Sequence, residues 1–204
     1  MGLREVKRER TRRLIADKAF ELFSDHGFGR TTVEQIAAAA EVGPSTLYRY
    51  FPTKEALVLE FVDFCLADAV SWFREQPAME LPDGLQAVVE RVLEQLETNP
   101  DRIRAVFELA EQSGSVSAHL NELIWRFRTD LADELVRRLP GDPRRAEFVA
   151  ALSAGIAMNI IETVVRVWVD DPTPTDAKVL ARQAMRLLRT GHIPLPGQPN
   201  LPTA

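Results

Sequence analysis

The stretch that decides the fold of this 204-residue chain is residues 31–51, which read TTVEQIAAAAEVGPSTLYRYF. Thr31 and Glu34 have the spacing of a capping box, in which two side chains satisfy the free amides at the start of a helix. Thr32 and Gln35 form a second, overlapping pair with the same spacing. Either pair predicts that a helix begins here and continues through the four alanines, because alanine favours helix and permits close packing.

A turn and a second, shorter helix follow in the sequence. Residues 41–43 interrupt the first helix, and Pro44 suits the first position of the next one because its missing N–H costs nothing there. Leu47 and Phe51 are four residues apart, so they are predicted to pack inward from the same side. Pro52 then ends the second helix. The stretch therefore predicts a helix-turn-helix.

The outward face of the second helix carries groups that can form hydrogen bonds to DNA. Their side chains have the size to contact base edges and phosphates in a major groove. They are Ser45, Thr46, Tyr48, Arg49 and Tyr50. We therefore expect this element to bind double-stranded DNA. For Arg49, an ion pair with an acid such as Glu55 is an alternative to base reading.

The distribution of charge favours the same interpretation, although the net charge of -5 does not. Residues 1–18 contain seven basic and three acidic residues, a net charge of +4, which leaves -9 on the rest of the chain. A basic end on an acidic body is typical of a protein that contacts DNA with one end only. A solvated, charge-rich helix end is the alternative for this run alone.

The motif resembles a known family. Residues 32–57 resemble the DNA-binding signature of the TetR family of repressors, and residues 19–28 resemble the end of that family's first helix. The resemblance implies that some of these residues bind phosphates and that others face the groove. The implied phosphate-binding residues are Thr32, Tyr48, Tyr50 and Lys54. The implied groove-reading residues are Pro44, Ser45, Thr46 and Arg49, with Gly43 at the start of their helix.

Two residues of the turn depart from the pattern of the family. The family often has glycine where this chain has Glu41, and it often has a serine cap where this chain has Gly43. A left-handed backbone at Glu41 would cost roughly 1 kcal/mol. The geometry of this turn is therefore the first feature to compare with the structure.

The whole chain is predicted to be all-α, with about nine helices, because apolar residues recur at three- and four-residue steps and strand alternation is absent. We expect an N-terminal three-helix domain over residues 1–53, which contains the helix-turn-helix. A helical effector-binding and dimerisation domain follows over residues 54–191, and a long helix that starts near Thr53 links the two. The proline-rich segment 192–204 is predicted to be a disordered tail.

Two helices near the C-terminal end are predicted over residues 144–169 and 176–190, and they resemble the dimer-forming pair of the family. Within the first of them, residues 148–161 are apolar on every side, which predicts burial all round. A twofold homodimer would hold two reading helices about 34 Å apart, one turn of duplex, on a roughly palindromic operator.

Residues of the helical body are candidates for contacts to a small-molecule effector, because buried polar groups need partners. The candidates are Phe107, Glu111, Trp125, Met158, Asn159 and Glu162. An ordinary core role is the alternative for the apolar ones, and a pair with Arg166 is the alternative for Glu162. The mostly apolar set predicts a hydrophobic or amphipathic effector. The spacing of the body also resembles that of family members with acyl-CoA-like effectors.

Other classes of function lack the residues that they need. His26, His119 and His192 are scattered without metal-ligand spacing, so no metal or cofactor is expected. No catalytic constellation is present, and the single cysteine, Cys65, excludes an internal disulfide. The N-terminus has no apolar signal segment, and the longest apolar stretch is too short to span a bilayer. We therefore expect a cytoplasmic protein with no membrane partner that is not an enzyme.

The leading hypothesis is a dimeric repressor that occupies an operator and is released by an effector. A constitutive, architectural DNA-binding protein without an effector is the second hypothesis. An enzyme that uses the same helical fold is the third, and no residue pattern favours it.

Overall fold

The computed structural model describes residues 3–170 and 176–193, and it confirms the all-α prediction for these ranges. Residues 194–204 of the predicted tail lie outside them. Nine helices are present in the described ranges: α1 Leu3–His26, α2 Val33–Ala39, α3 Pro44–Tyr50, α4 Lys54–Arg74, α5 Leu81–Leu96, α6 Pro100–Gln112, α7 Gly114–Val136, α8 Pro143–Asp170 and α9 Ala177–Arg189.

The helices group into two compact units. The first unit comprises the residues up to 64 together with 101–123, and the second comprises 65–100 and the residues from 124 onward. The α6 helix belongs with the first unit because Arg102 is buried against α1, where it donates to Asp17 at 3.1 Å and to the carbonyl of Ala16 at 3.3 Å.

The first unit has its core where α1, α2, α3 and the first half of α4 pack together. Its buried side chains include Ile15, Ala19, Ile36, Leu47, Phe51 and Leu57. Arg12 of α1 forms a bidentate pair with Glu60 of α4, at 2.8 Å from Nε to Oε1 and 2.5 Å from Nη2 to Oε2. Its guanidinium also lies 4.9 Å from the centre of the Phe51 ring. These contacts fix the position of the helix-turn-helix between α1 and α4.

The second unit is built around α5, α8 and α9, which pack against one another. A glycine permits two helices of this unit to approach closely, since a Cβ on Gly84 of α5 would lie 2.3 Å from the buried ring of Phe73 on α4. Any larger residue at this position would force the ring to move.

A buried carboxylate joins the end of α4 to α7 within the second unit. Glu134 accepts hydrogen bonds from Arg74 at 3.2 Å, from Arg137 at 2.7 Å and from Arg138 at 3.1 Å. Burial would raise the pKa of Glu134, but these hydrogen bonds outweigh burial and hold the pKa below its ordinary value. Arg138 also donates to the carbonyl of Phe73 at 2.6 Å and to that of Gln76 at 3.1 Å, which ties α7 to the C-terminal end of α4.

The long helix α8 is buried on one side only, and the expected burial all round is wrong for the single chain. Its inner side packs into the second unit, but Phe148 is 70% exposed, Leu152 55% and Ile156 43%. These residues are spaced by four, so they form one apolar stripe. By length and composition alone α8 could also cross a membrane, a weak criterion that core helices of water-soluble proteins meet as well.

Candidate nucleic-acid interface

The start of α2 shows which of the two overlapping capping boxes forms. Thr32 Oγ1 accepts from the backbone N–H of Gln35 at 3.2 Å, and the backbone N–H of Thr32 donates to Gln35 Oε1 at 2.8 Å. Thr31 is buried instead, and its hydroxyl lies 3.1 Å from the carbonyl of Leu22 and 2.9 Å from that of Gly27. The second threonine therefore caps α2, and the first joins α2 to the end of α1.

In the turn between α2 and α3, a left-handed backbone is expected to strain the chain where Glu41 replaces the glycine that the family often has. Glu41 adopts this backbone. Its φ is 54°, and it is the single non-glycine residue with positive φ in the described ranges. The N–H of Val42 donates to the carbonyl of Ala37 at 2.9 Å, which closes the end of α2. Gly43 is the N-cap of α3 without a side-chain bond, and Pro44 occupies the first turn, as predicted.

Replacing Glu41 by glycine is expected to raise the free energy of unfolding by a few tenths of a kcal/mol and at most about 1 kcal/mol. Glycine adopts positive φ without the clash of a Cβ, although it also gains freedom in the unfolded chain. Chemical denaturation measures the change. Glu41→Ala is the matched control, because it removes the carboxylate and keeps the Cβ. Equal stability of the two variants would show that the turn stores no strain.

Helix α3, the second helix of the helix-turn-helix and hereafter the recognition helix, presents most of the predicted contact residues on its exposed side. Leu47 is fully buried beneath the helix, and Phe51 is buried just beyond its end. Thr46 and Tyr50 are half-buried. The exposed residues are Pro44, Ser45, Tyr48 and Arg49, with Thr32 exposed at the start of α2. This side therefore carries hydroxyl and guanidinium groups that are free to approach a ligand.

The alternative partner of Arg49 is not used in the structure. The carboxylate of Glu55 accepts from the hydroxyl of Ser115 at 2.8 Å. The guanidinium of Arg49 instead lies 5.8 Å from the centre of the Tyr50 ring. Arg49 forms no ion pair with any residue of the described ranges, so its guanidinium donors are open to a nucleic acid.

Lys54 has partners inside the protein. Its ammonium donates to the carbonyl of Phe28 at 2.7 Å and to that of Thr31 at 3.2 Å. It also lies 4.2 Å from the centre of the Phe28 ring. An ammonium has three N–H donors, so at most one remains for a phosphate. Phosphate contact by Lys54 stays a prediction. In the structure its ammonium holds the loop between α1 and α2 through these two carbonyls.

Three residues of α1 also belong to this surface, and the sequence analysis did not single them out. Lys7, Arg8 and Thr11 line a depression of about 460 Å³ together with Arg49 and Tyr50 of α3. The charge run at the N-terminus was the available signal, but it could not show that these side chains lie beside the recognition helix. The surface therefore continues from α3 along the basic start of α1.

The six candidate effector contacts are divided between the two units. Phe107 and Glu111 belong to the first unit, and the other four belong to the second. Met158 is buried, whereas Trp125 and Asn159 are exposed. The alternative partner Arg166 is not the one that Glu162 uses, because its carboxylate pairs with Arg128 of α7 at 3.2 Å. None of the six lines the cavity of about 360 Å³ between α1 and α6 in the first unit or the cavity of about 470 Å³ between α5, α8 and α9 in the second.

The fold and the surface define a helix-turn-helix protein with a basic, hydrogen-bonding face. A family model described as bacterial regulatory proteins, tetR family, matches residues 15–61. The chain is 33% identical over 155 residues to the HTH-type transcriptional regulator TcmR of Streptomyces glaucescens, which covers 74% of this chain and 63% of TcmR. Residues 15–61 therefore contain the helix-turn-helix of the tetR family of bacterial regulatory proteins.

Further similarities agree with this assignment. An HTH-type transcriptional regulator of Haemophilus influenzae is 36% identical over 63 residues, covering 30% of this chain and 31% of the relative. The chain thus spans less than two thirds of the length of either relative.

Two solved structures share the fold with 21% sequence identity each. Thermus thermophilus FadR, a TetR-family repressor in complex with lauroyl-CoA, has a TM-score of 0.60 over 94% of this chain and 100% of its own. Bacillus subtilis FadR in complex with stearoyl-CoA has a TM-score of 0.59 over 86% of this chain and 96% of its own.

Proposed function

We propose that this protein is a cytoplasmic repressor that binds a roughly palindromic operator as a homodimer and is released by a small amphipathic effector. The observation that carries the proposal is the exposed face of α3, where hydrogen-bonding side chains lie beside a basic depression on α1.

DNA recognition is argued from the chemistry of that face. Arg49 has a planar guanidinium that matches the two acceptors of guanine in the major groove, and no acid of the described ranges competes for it. Tyr48 and Thr32 offer exposed hydroxyls that can donate to phosphates. Lys7 and Arg8 add positive charge at the edge of the same surface, while the rest of the chain is acidic. The protein therefore has one end with the charge and donors that DNA needs.

Dimer formation is argued from the apolar stripe of α8. Phe148, Leu152 and Ile156 are exposed in the single chain, which is unusual for three large apolar residues in one row. The α9 helix adds Val179 and Leu187, which are 47% and 38% exposed. Their exposure in the single chain supports a twofold dimer in which a second copy covers them. Two recognition helices about 34 Å apart would then read one palindrome.

An acyl thioester or similar amphiphile is the effector class that the comparisons support. Two structural neighbours were solved with lauroyl-CoA and stearoyl-CoA. Binding of such a molecule to the helical body would favour a conformation with lower operator affinity, because an effector shifts an equilibrium by its differential affinity for two states. The effector would therefore release the protein from its operator and relieve repression.

Selection of bound DNA from a random pool, followed by footprinting on the selected sequence, tests the proposal. We expect one protected, roughly palindromic site. Arg49→Ala should then relax the preference at one base pair per half-site by about 1–3 kcal/mol. Lys18→Ala is the matched control, because Lys18 also lies in the basic run but pairs with Glu21 at 2.7 Å. Absence of a discrete protected site would contradict operator binding, and an equal loss on every sequence would assign Arg49 to a phosphate.

A further inference from the structure

A cavity of about 470 Å³ lies within the second unit, between the start of α5, the middle of α8 and the end of α9. We propose that it binds an amphipathic anion, which is a carboxylate or phosphate head on an apolar chain. Its volume falls within the range of about 300–1,000 Å³ that small-molecule sites occupy. None of the candidate effector residues from the sequence lines it, so the site is assigned from the structure alone.

The floor of the cavity is apolar and consists of side chains from all three helices. Its aliphatic lining residues are Leu85, Val89, Ile156, Ala157, Ile160, Met185 and Leu188. Val89, Ala157 and Ile160 are buried, so the floor belongs to the fixed core of the unit. An apolar ligand chain that covers this floor removes apolar surface from water, which favours binding.

One wall of the cavity carries three positive charges. Arg182, Arg186 and Arg189 are spaced by four and three residues, so they lie on the same flank of α9. Arg182 is 3.7 Å from the carboxylate of Glu90. Arg186 and Arg189 form no ion pair with any residue in the ranges 3–170 and 176–193. Asp83 is the one acid among the residues that line the cavity, so the wall has a net positive charge.

The position of two of these arginines near the end of α9 has a simpler partial explanation. Cations in the last turn of a helix interact favourably with its dipole. The helix dipole explains why a cation is favoured at the end of α9. It does not explain why three cations line one apolar cavity. Like charges at this spacing repel one another, and a bound anion removes that repulsion.

The cavity and the proposed dimer surface adjoin on α9. At about 100° per residue, Leu187 projects well away from the three arginines, whereas Val179 projects within about 20° of Arg186. On α8, Ile156 lies at the border between the cavity and the exposed stripe, and it contributes to both. A ligand in the cavity would therefore touch the helices that support the dimer, close to the edge of the proposed dimer surface. Any effect on operator release through this contact rests on the proposed function.

The chemistry of the walls sets the ligand class. An uncharged apolar molecule would cover the floor but leave Arg186 and Arg189 unpaired. Inorganic phosphate would pair with these arginines but leave the floor in water. Charge-assisted hydrogen bonds from arginine suit both carboxylate and phosphate oxygens. Decanoate and decyl phosphate therefore represent the two head groups on one chain length, and decanol is the uncharged match.

Isothermal titration of the full-length protein with each probe, below its micelle concentration and without DNA, tests the site. We expect saturable binding of at least one of the two anionic probes, and weaker binding of decanol by about tenfold or more. Arg186→Gln combined with Arg189→Gln should weaken binding of the anionic probe by about tenfold or more, since two charge-assisted bonds are lost. The lysine double variant should retain most of the affinity. Arg144→Gln, an exposed arginine at the start of α8 outside the cavity, is the matched control.

Three results would overturn the proposal: no binding of either anionic probe, decanol binding as tightly as they do, or undiminished affinity in the glutamine double variant. Both substituted arginines are exposed, so the variants should remain folded, and circular dichroism checks this. Because the titration contains no DNA, a failure of operator recognition leaves its result intact. Operator affinity measured with and without the probe tests the proposed release separately.

Discussion

A folded monomer is the expected product when Phe148 and Leu152 are both replaced by aspartate, with operator affinity lowered about 100-fold or more. Both side chains are largely exposed in the single chain, so the substitutions remove no packing from its own core. In a twofold dimer the same substitutions would bury four carboxylates at the interface, where unpaired charge is strongly unfavourable. A monomer contacts one half-site at a time and loses the gain from linking two binding events.

Sedimentation equilibrium measures the loss of the dimer, and fluorescence anisotropy with labelled operator measures the loss of affinity. Arg145→Asp is the matched control, because it changes the net charge by the same amount at an exposed site near the start of α8. The control should remain dimeric. A dimer that persists in the double variant, with operator affinity unchanged, would show that the stripe is not the interface.

The helix-turn-helix could be predicted almost residue by residue because the interactions that define it are local. Capping, the turn and the proline at the start of α3 each depend on residues within a few positions of one another. The local rules also identified Glu41 as the residue whose backbone would be strained. They could not decide between the two capping boxes, since the choice depends on the contact of Thr31 with the end of α1.

The body of the protein was harder to predict because its contacts join residues far apart in the chain. Spacing favoured a pair of Glu162 with Arg166, but the fold brings Arg128 of α7 within 3.2 Å of the carboxylate. The apolar stretch 148–161 predicted burial. Composition cannot show whether the side chains are buried by their own chain alone or also by a second copy. The sequence of α9 alone could not indicate a site at its three arginines, because residues of α5 and α8 form the rest of the cavity.

Replacing Glu134 by alanine is expected to lower the free energy of unfolding by about 3–5 kcal/mol. The residue is 4% exposed, and it is the shared acceptor of three arginines. Arg138 would then keep its charge in a site where its side chain is only 12% exposed, with no carboxylate to compensate it. The side chains of Arg74 and Arg137 are more than half exposed, so water would replace most of what they lose.

Urea denaturation of the variant measures this loss, and Arg137→Ala is the control, with an expected loss of about 1 kcal/mol or less. Removing Glu134 and Arg138 together should cost less than the sum of the two single changes, because no charge is then left buried alone.

The lowered pKa of Glu134 adds a second test. The stability gained from its ionised form is present above the ordinary glutamate pKa of about 4.3 and is lost as the pH falls through the lowered folded value. The difference between wild type and Glu134→Ala should therefore shrink in acid, and a difference that grows there would contradict a role for the carboxylate charge.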